Sequence, residues 1–179
     1  MADALSLVYH AICAQDPLHT WSPGGTALPL CQRCTGFYAG AAIALLMQVT
    51  LRFAPGPRFL TVHGLFLLAM IPLGYHWVPQ DAVVRAVSGV LFGAGVVSFL
   101  WLRPGPRLFD LRDPAGRVLL VYAAVVTGTV LGIQAVAVSG GRLGWYVLAV
   151  LGTAGIAGLA VLAAANGLVL VRGTSRRDA

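Results

Sequence analysis

The sequence predicts an all-α fold, a polytopic membrane helix bundle with five transmembrane helices and a small Cys/His-rich N-terminal head. Three observations predict it. Of 179 residues, 58% are apolar and only 10% are charged, whereas a soluble domain carries about a quarter charged residues. Five apolar stretches are each long enough to cross roughly 30 Å of hydrocarbon at about 1.5 Å per residue. All 12 basic residues are arginines, and they stand in short clusters between those stretches, as they do in membrane proteins. A water-soluble globule is excluded. The lipid bilayer is the expected partner and nucleic acid is not, because the +6 net charge is spread over the ends of apolar runs.

The head occupies residues 1–34. The first span runs from about Thr35 to Val49, or to Phe53 if Arg52 snorkels. The second covers Phe59 to Val78 and the third Ala82 to Leu102, so residues 35–102 hold three helices. Residues 103–117 form an Arg-rich loop. Residues 118–171 hold the fourth span, Val118 to Val138, and the fifth, Gly144 to Val171, which is long enough to tilt. Residues 172–179 are a tail. Helices are required because lipid offers backbone amides no partner, and the alternation of a β-barrel is absent. The first fifteen residues lack a basic start and a sustained apolar core, so no cleavable signal peptide is expected.

Five spans place the loops alternately on two sides. One side collects nine arginines (Arg52, Arg58, Arg103, Arg107, Arg112, Arg117, Arg172, Arg176 and Arg177) and the other three (Arg33, Arg85 and Arg142). The positive-inside bias then puts the nine in the cytoplasm, the head outside and the C-terminus inside, in a prokaryotic inner membrane. An internal echo accompanies this topology. Thr35-Gly36-x3-Gly40 opens the first span and Ser88-Gly89-x3-Gly93 lies early in the third. Pro55-Gly56-Pro57-Arg58 follows the first and Pro104-Gly105-Pro106-Arg107 the third. Gly128, Gly132, Gly152, Gly155 and Gly158 continue the small-residue pattern that lets helices approach closely in lipid.

All three cysteines lie in the head. His10-x2-Cys13, seventeen residues and Cys31-x2-Cys34 is the spacing of a four-ligand zinc site with one cysteine replaced by histidine. Leu5, Val8 and Ile12 suggest a short amphipathic helix on which His10 and Cys13, three apart, share a face. The intervening loop, with Pro17, Pro23, Gly24, Gly25 and Pro29, is one that a metal would tie down. His19 and His76 are alternative fourth ligands. The competing chemistry is redox, in which a Cys-x-x-Cys at a helix start has its thiolate stabilised by the helix dipole and by Arg33. Cys31 and Cys34 would then exchange disulfides with Cys13 as resolving thiol, and quinone would take the electrons. The plain alternative is a structural Cys31–Cys34 disulfide beside a buried Cys13. Covalent haem is excluded because Thr35, not His, follows Cys34.

His63 and His76 lie thirteen apart on the second span, about 140° around a helix, and cannot share one pocket face; a cross-helix hydrogen bond is the ordinary role of an intramembrane histidine. Asp81 and Arg85 stand at a spacing that permits an ion pair.

Leu30-Cys31-Gln32-Arg33-Cys34-Thr35-Gly36-Phe37-Tyr38-Ala39-Gly40 resembles the Cys-x-Arg-Cys-Thr-Gly-x-Tyr-x-Gly signature of a prokaryotic integral-membrane family known only as domain of unknown function twenty eighty-five. Cys13 with Gln15, and Arg85-x-x-Ser88-Gly89, match its other motifs, so the resemblance covers about residues 10 to 100. It implies that Cys13, Cys31, Arg33, Cys34, Gly36 and Arg85 belong to a common site, and it brings no activity with it. This chain departs from the family at Ala14, where His is frequent. It departs again before the third span, where His76-Trp77 and a displaced Asp81 replace Asp-Gly. The fourth ligand therefore stays open among His10, His19 and His76.

The expectation is a Cys3His metal site, zinc above all, formed by His10, Cys13, Cys31 and Cys34 on the extracytoplasmic side. Arg33, Gly36, Asp81 and Arg85 would support it in a structural or accessory subunit of a membrane complex. The alternatives are a thiol–disulfide oxidoreductase using Cys31 and Cys34, and a small-solute transporter with substrate beside Arg33, Arg85 and His76.

Overall fold

The computed structural model describes residues 8–75, 77–112 and 116–175, the last four as backbone alone. Five long helices take up the apolar stretches: α1 (Gln32–Leu51), α2 (Pro57–Gly74), α3 (Ala82–Leu100), α4 (Gly116–Ser139) and α5 (Gly141–Ser175). Each is long and apolar enough to cross a bilayer. Among the described residues there is no strand, only an isolated bridge between Phe53 and Arg112. The molecule is the all-α membrane bundle that hydropathy predicts.

Local chemistry sets the helix ends. Pro57 opens α2, where its missing N–H costs nothing. Pro72 withdraws a donor from the last turn of α2, which stops at Gly74 rather than at Val78 as expected, and the Trp77 N–H returns to the Pro72 carbonyl at 3.0 Å. At α3 the Asp81 carboxylate accepts from the Val84 N–H at 2.8 Å as an N-cap. The Asp81–Arg85 ion pair that the spacing permits is not found among the described residues, the Asp81 carboxylate being engaged with the Val84 N–H instead.

The centre of the bundle is the α1–α3 contact, and its packing is reciprocal. A Cβ on Gly36 would overlap the Ala86 carbonyl oxygen, three residues before Gly89. A Cβ on Gly89 would overlap that of Arg33, three residues before Gly36. The same exchange recurs one turn further on, between Gly40 and Val90 and between Gly93 and Phe37. The two halves of the internal echo therefore grip each other through a local twofold relation of two parallel helices. Close backbone approach of this kind supplies packing where the hydrophobic effect cannot. The echo is weaker at the turns: Pro57 starts a long helix, whereas Gly105–Leu108 forms one separate short turn, with Gly105 against the Trp101 ring.

α5 packs on α1, with Gly155 against the Tyr38 carbonyl, and α2 lies along α3, where Gly95 meets the His63 carbonyl and Leu67. His63 Nδ1 donates to the Phe59 carbonyl at 2.8 Å, and its Nε2 bonds the Tyr122 hydroxyl at 3.0 Å. It ties α2 to α4, the ordinary cross-helix role. α5 begins well beyond the start of α1. The head fills the resulting step: Trp145 Nε1 donates to the Ala27 carbonyl at 3.0 Å, Leu30 meets Gly152, and the Tyr9 hydroxyl bonds Thr153 Oγ1 at 2.6 Å. Gly24, at φ 65°, lies against the Gly141–Arg142 backbone, a position that a side chain would both strain and fill. Rather than standing clear of the bundle, the head is packed into it.

Candidate metal centre

Three short elements bring the cysteines together. Residues 8–12 are helical, and the Cys13 N–H continues that turn to the Tyr9 carbonyl at 3.0 Å. Cys31 is the N-cap of α1, and Cys34 lies in its first turn. The three sulfurs lie within 4.8 Å of one another. None is in a disulfide, so the plain alternative of a structural Cys31–Cys34 bridge is not what this structure shows. Tyr9, Leu30 and Tyr38 wrap the cluster, which leaves Cys13 buried and Cys31 and Cys34 half-buried.

The Cys13 sulfur is the acceptor of the group. The Cys31 N–H points at it from 3.3 Å and the Gln15 N–H from 3.4 Å. Hydrogen bonds from the Cys31 and Cys34 thiols, with those backbone donors, hold Cys13 well below the usual thiol range, against the opposing effect of burial. The same sharing pushes Cys31 up, because it keeps its proton to donate to Cys13. The three side chains therefore share one negative charge. Gln15 adopts φ 52° and also donates through Nε2 to the Pro29 carbonyl at 2.7 Å, which joins the two segments that carry Cys13 and Cys31.

The imidazoles fare differently. His10 is exposed and is not among the gathered ligand atoms. At about 100° per residue, Tyr9 and Cys13 lie closer to one helical stripe than His10 and Cys13 do. Tyr9, with its bond to Thr153, takes the buried face. His19 Nδ1 is held by the Asp16 carboxylate at 2.6 Å in the loop, away from the sulfurs. Asp16 also accepts from the Leu18 N–H, and these two contacts lower its pKa. His76 lies outside the described residues.

Of the supporting residues, Gly36 serves the α1–α3 contact and Asp81 caps α3. Arg33 and Arg85 converge on Gln80. Arg33 Nη2 donates to the Gln80 side chain and to the Leu73 carbonyl at 3.0 Å, while Arg85 Nε approaches the Gln80 carbonyl at 3.4 Å. Gln80, Tyr9 and the positive φ of Gln15 escape a reading of the sequence. Nothing in their spacing marks them; only the returning loop and the α5 surface give them partners.

Fold and site define a polytopic membrane protein with three thiols converging at one end of its bundle. Residues 13–99, just under half of the chain, match the model of a family described as "Predicted membrane protein (DUF2085)". The matched segment opens at Cys13, includes Cys31, Arg33, Cys34 and Arg85, and ends in the last turn of α3. No curated protein and no solved structure matches the chain.

Proposed function

We propose that Cys13, Cys31 and Cys34 hold a zinc ion that staples the head to α1, in a protein with a structural or accessory role in a complex of the prokaryotic inner membrane. The convergence of three sulfurs within 4.8 Å carries this reading. Zinc–thiolate bonds of about 2.3 Å place tetrahedral sulfurs about 3.8 Å apart, so only a small contraction is needed. The N–H groups aimed at Cys13 are the donors that a thiolate ligand uses. His10 and His19 have other environments in this structure, and the three thiolates suffice to fix the ion, with the fourth position left to His76 or to a water molecule. Elemental analysis with thiol counting on one purified sample tests it. About one equivalent of zinc is expected, lost in C13S, C31S or C34S and retained in H10A and H19A. Zinc-free protein with intact, unprotected thiols would overturn the reading. Stoichiometric co-purification with other membrane subunits is expected for the accessory role, and a monodisperse orphan would count against it.

A second reading rests on Cys13, the thiol held below the usual range, lying beside the Cys31–Cys34 pair at the start of α1 as a resolving thiol would. Here Cys31 and Cys34 would form a disulfide, releasing two electrons and two protons that reduce a quinone to quinol. Thiol trapping in cells separates the two readings, since cycling between thiol and disulfide supports exchange and permanently reduced, metal-protected thiols eliminate it.

A further inference from the structure

Neither Arg33 nor Arg85 is a ligand of the metal centre, although Cys31 and Cys34 lie close enough to act on the Arg33 charge, and both arginines are held at the head end. Arg85 is 9% exposed, and among the described residues its Nε approaches the Gln80 carbonyl at 3.4 Å. Arg33 has two acceptors for Nη2, but its Nε is shut off from solvent and has no partner among the described residues. Both guanidinium groups thus meet at one residue, Gln80, and their charges act on each other.

Among the described residues no carboxylate lies within 4.0 Å of either group. Asp16 interacts with Arg85 only at longer range, its oxygens taken by Leu18 and His19, and Asp81 caps α3. Carbonyl oxygens offset the hydrogen-bonding needs of a guanidinium but not its charge. Two like charges held together, one half-buried and one buried, are costly until an anion joins them. The N-termini of α1 and α3 lie at the same end and add positive potential. A zinc ion with three thiolates carries a net charge of about −1, which offsets one guanidinium and leaves the other.

The geometry points to an oxyanion site between Arg33 and Arg85 that takes a phosphate monoester, either the headgroup of an anionic lipid or a soluble phosphate. Two guanidinium forks match both the oxygens of such a group and its charge of about −1.5 to −2. The site adjoins the sulfur cluster but does not require the metal reading, because neither arginine is among the gathered ligand atoms.

The test uses the purified full-length protein in detergent, in two arms. One arm adds inorganic phosphate. The other adds short-chain phosphatidic acid, with phosphatidylcholine as its zwitterionic control, and both are compared with chloride at matched ionic strength. Melting temperature and calorimetric binding are read, with metal content measured on the same samples. A response to phosphate identifies a soluble ligand, and a response confined to phosphatidic acid identifies a lipid headgroup; either supports the site. R33Q and R85Q should each weaken binding by about thirtyfold or more, as expected when one member of a buried charge contact is removed. R85K, which keeps the charge and loses the fork, should weaken it less, and metal content should be unchanged. No response in the unmodified protein beyond chloride and phosphatidylcholine overturns the assignment, whether or not the variants fold. Unaltered binding in R33Q overturns it as well. Metal lost from R85Q, with no phosphate response in the unmodified protein, would make the arginines a counter-charge for the thiolates instead.

Discussion

Gln15 holds a left-handed backbone conformation, φ 52°, that disfavours any residue with a Cβ by about 1 kcal/mol. The same conformation aims its N–H at the Cys13 sulfur while its side chain reaches Pro29. Groups one step behind a metal ligand typically govern affinity by about 10–100-fold. Q15A, which keeps the strain and loses the Pro29 bond, should therefore weaken zinc binding about tenfold in a chelator competition; unchanged affinity would make Gln15 a mere turn residue. The thiols carry a pH signature of their own. Because Cys13 is held below the usual thiol range, its thiolate persists as pH falls, and alkylation of Cys13 in metal-free protein should stay nearly flat from about pH 8 to pH 6. An ordinary thiol, with its pKa near 8.5, slows about tenfold per pH unit there. Cys31, pushed up, should react only at higher pH. Mass spectrometry after timed labelling reads both, and equal slopes at the two cysteines would refute the shared charge.

The α1–α3 contact and the His63–Tyr122 bond show which force dominates between these helices. At Gly89 a Cβ has no room beside the Arg33 carbonyl and the Phe37 N–H, and backbone cannot swing aside as a side chain can. G89L should lower stability by about 1–3 kcal/mol or more, the range for overpacking. Y122F removes one cross-helix hydrogen bond, worth about 0.6 kcal/mol in a membrane. Thermal unfolding in detergent should rank G89L far below Y122F, and the reverse order would mean that polar ties hold the bundle. The glycine pattern was legible in the sequence because a close approach admits only small residues, and the sulfur cluster was legible because ligand spacing is local. The imidazole was not. Whether Tyr9 or His10 turns inward depends on Thr153, 144 residues beyond Tyr9, and no periodicity over five residues encodes that partner. The early end of α2 was visible in Pro72, although hydropathy alone carried the span on to Val78.

At the scale of the whole molecule, the fold sharpens an argument that counting alone left blunt. The head, the α2–α3 loop and the α4–α5 turn share one end, and the arginines there are Arg33, Arg85 and Arg142. Two of these sit in the first turns of α1 and α3, half-buried or buried, so only Arg142 is exposed. At the opposite end Arg52, Arg58, Arg103, Arg107, Arg112 and Arg117 are all exposed. Positive charge resists translocation when it lies in short loops, and the six-to-one contrast in exposed arginines among the described residues agrees with the proposed outward head. In the proposed orientation a fluorescent protein fused after Ala179 should light up in the cytoplasm of a bacterial host, while alkaline phosphatase fused there should stay inactive. The phosphatase should become active when fused after Arg142. Activity at Ala179 would invert the bundle and place the three thiols in a reducing compartment. There disulfide exchange would lose its oxidising surroundings and a reduced zinc–thiolate centre would persist, so orientation also weighs the two chemistries proposed for the site.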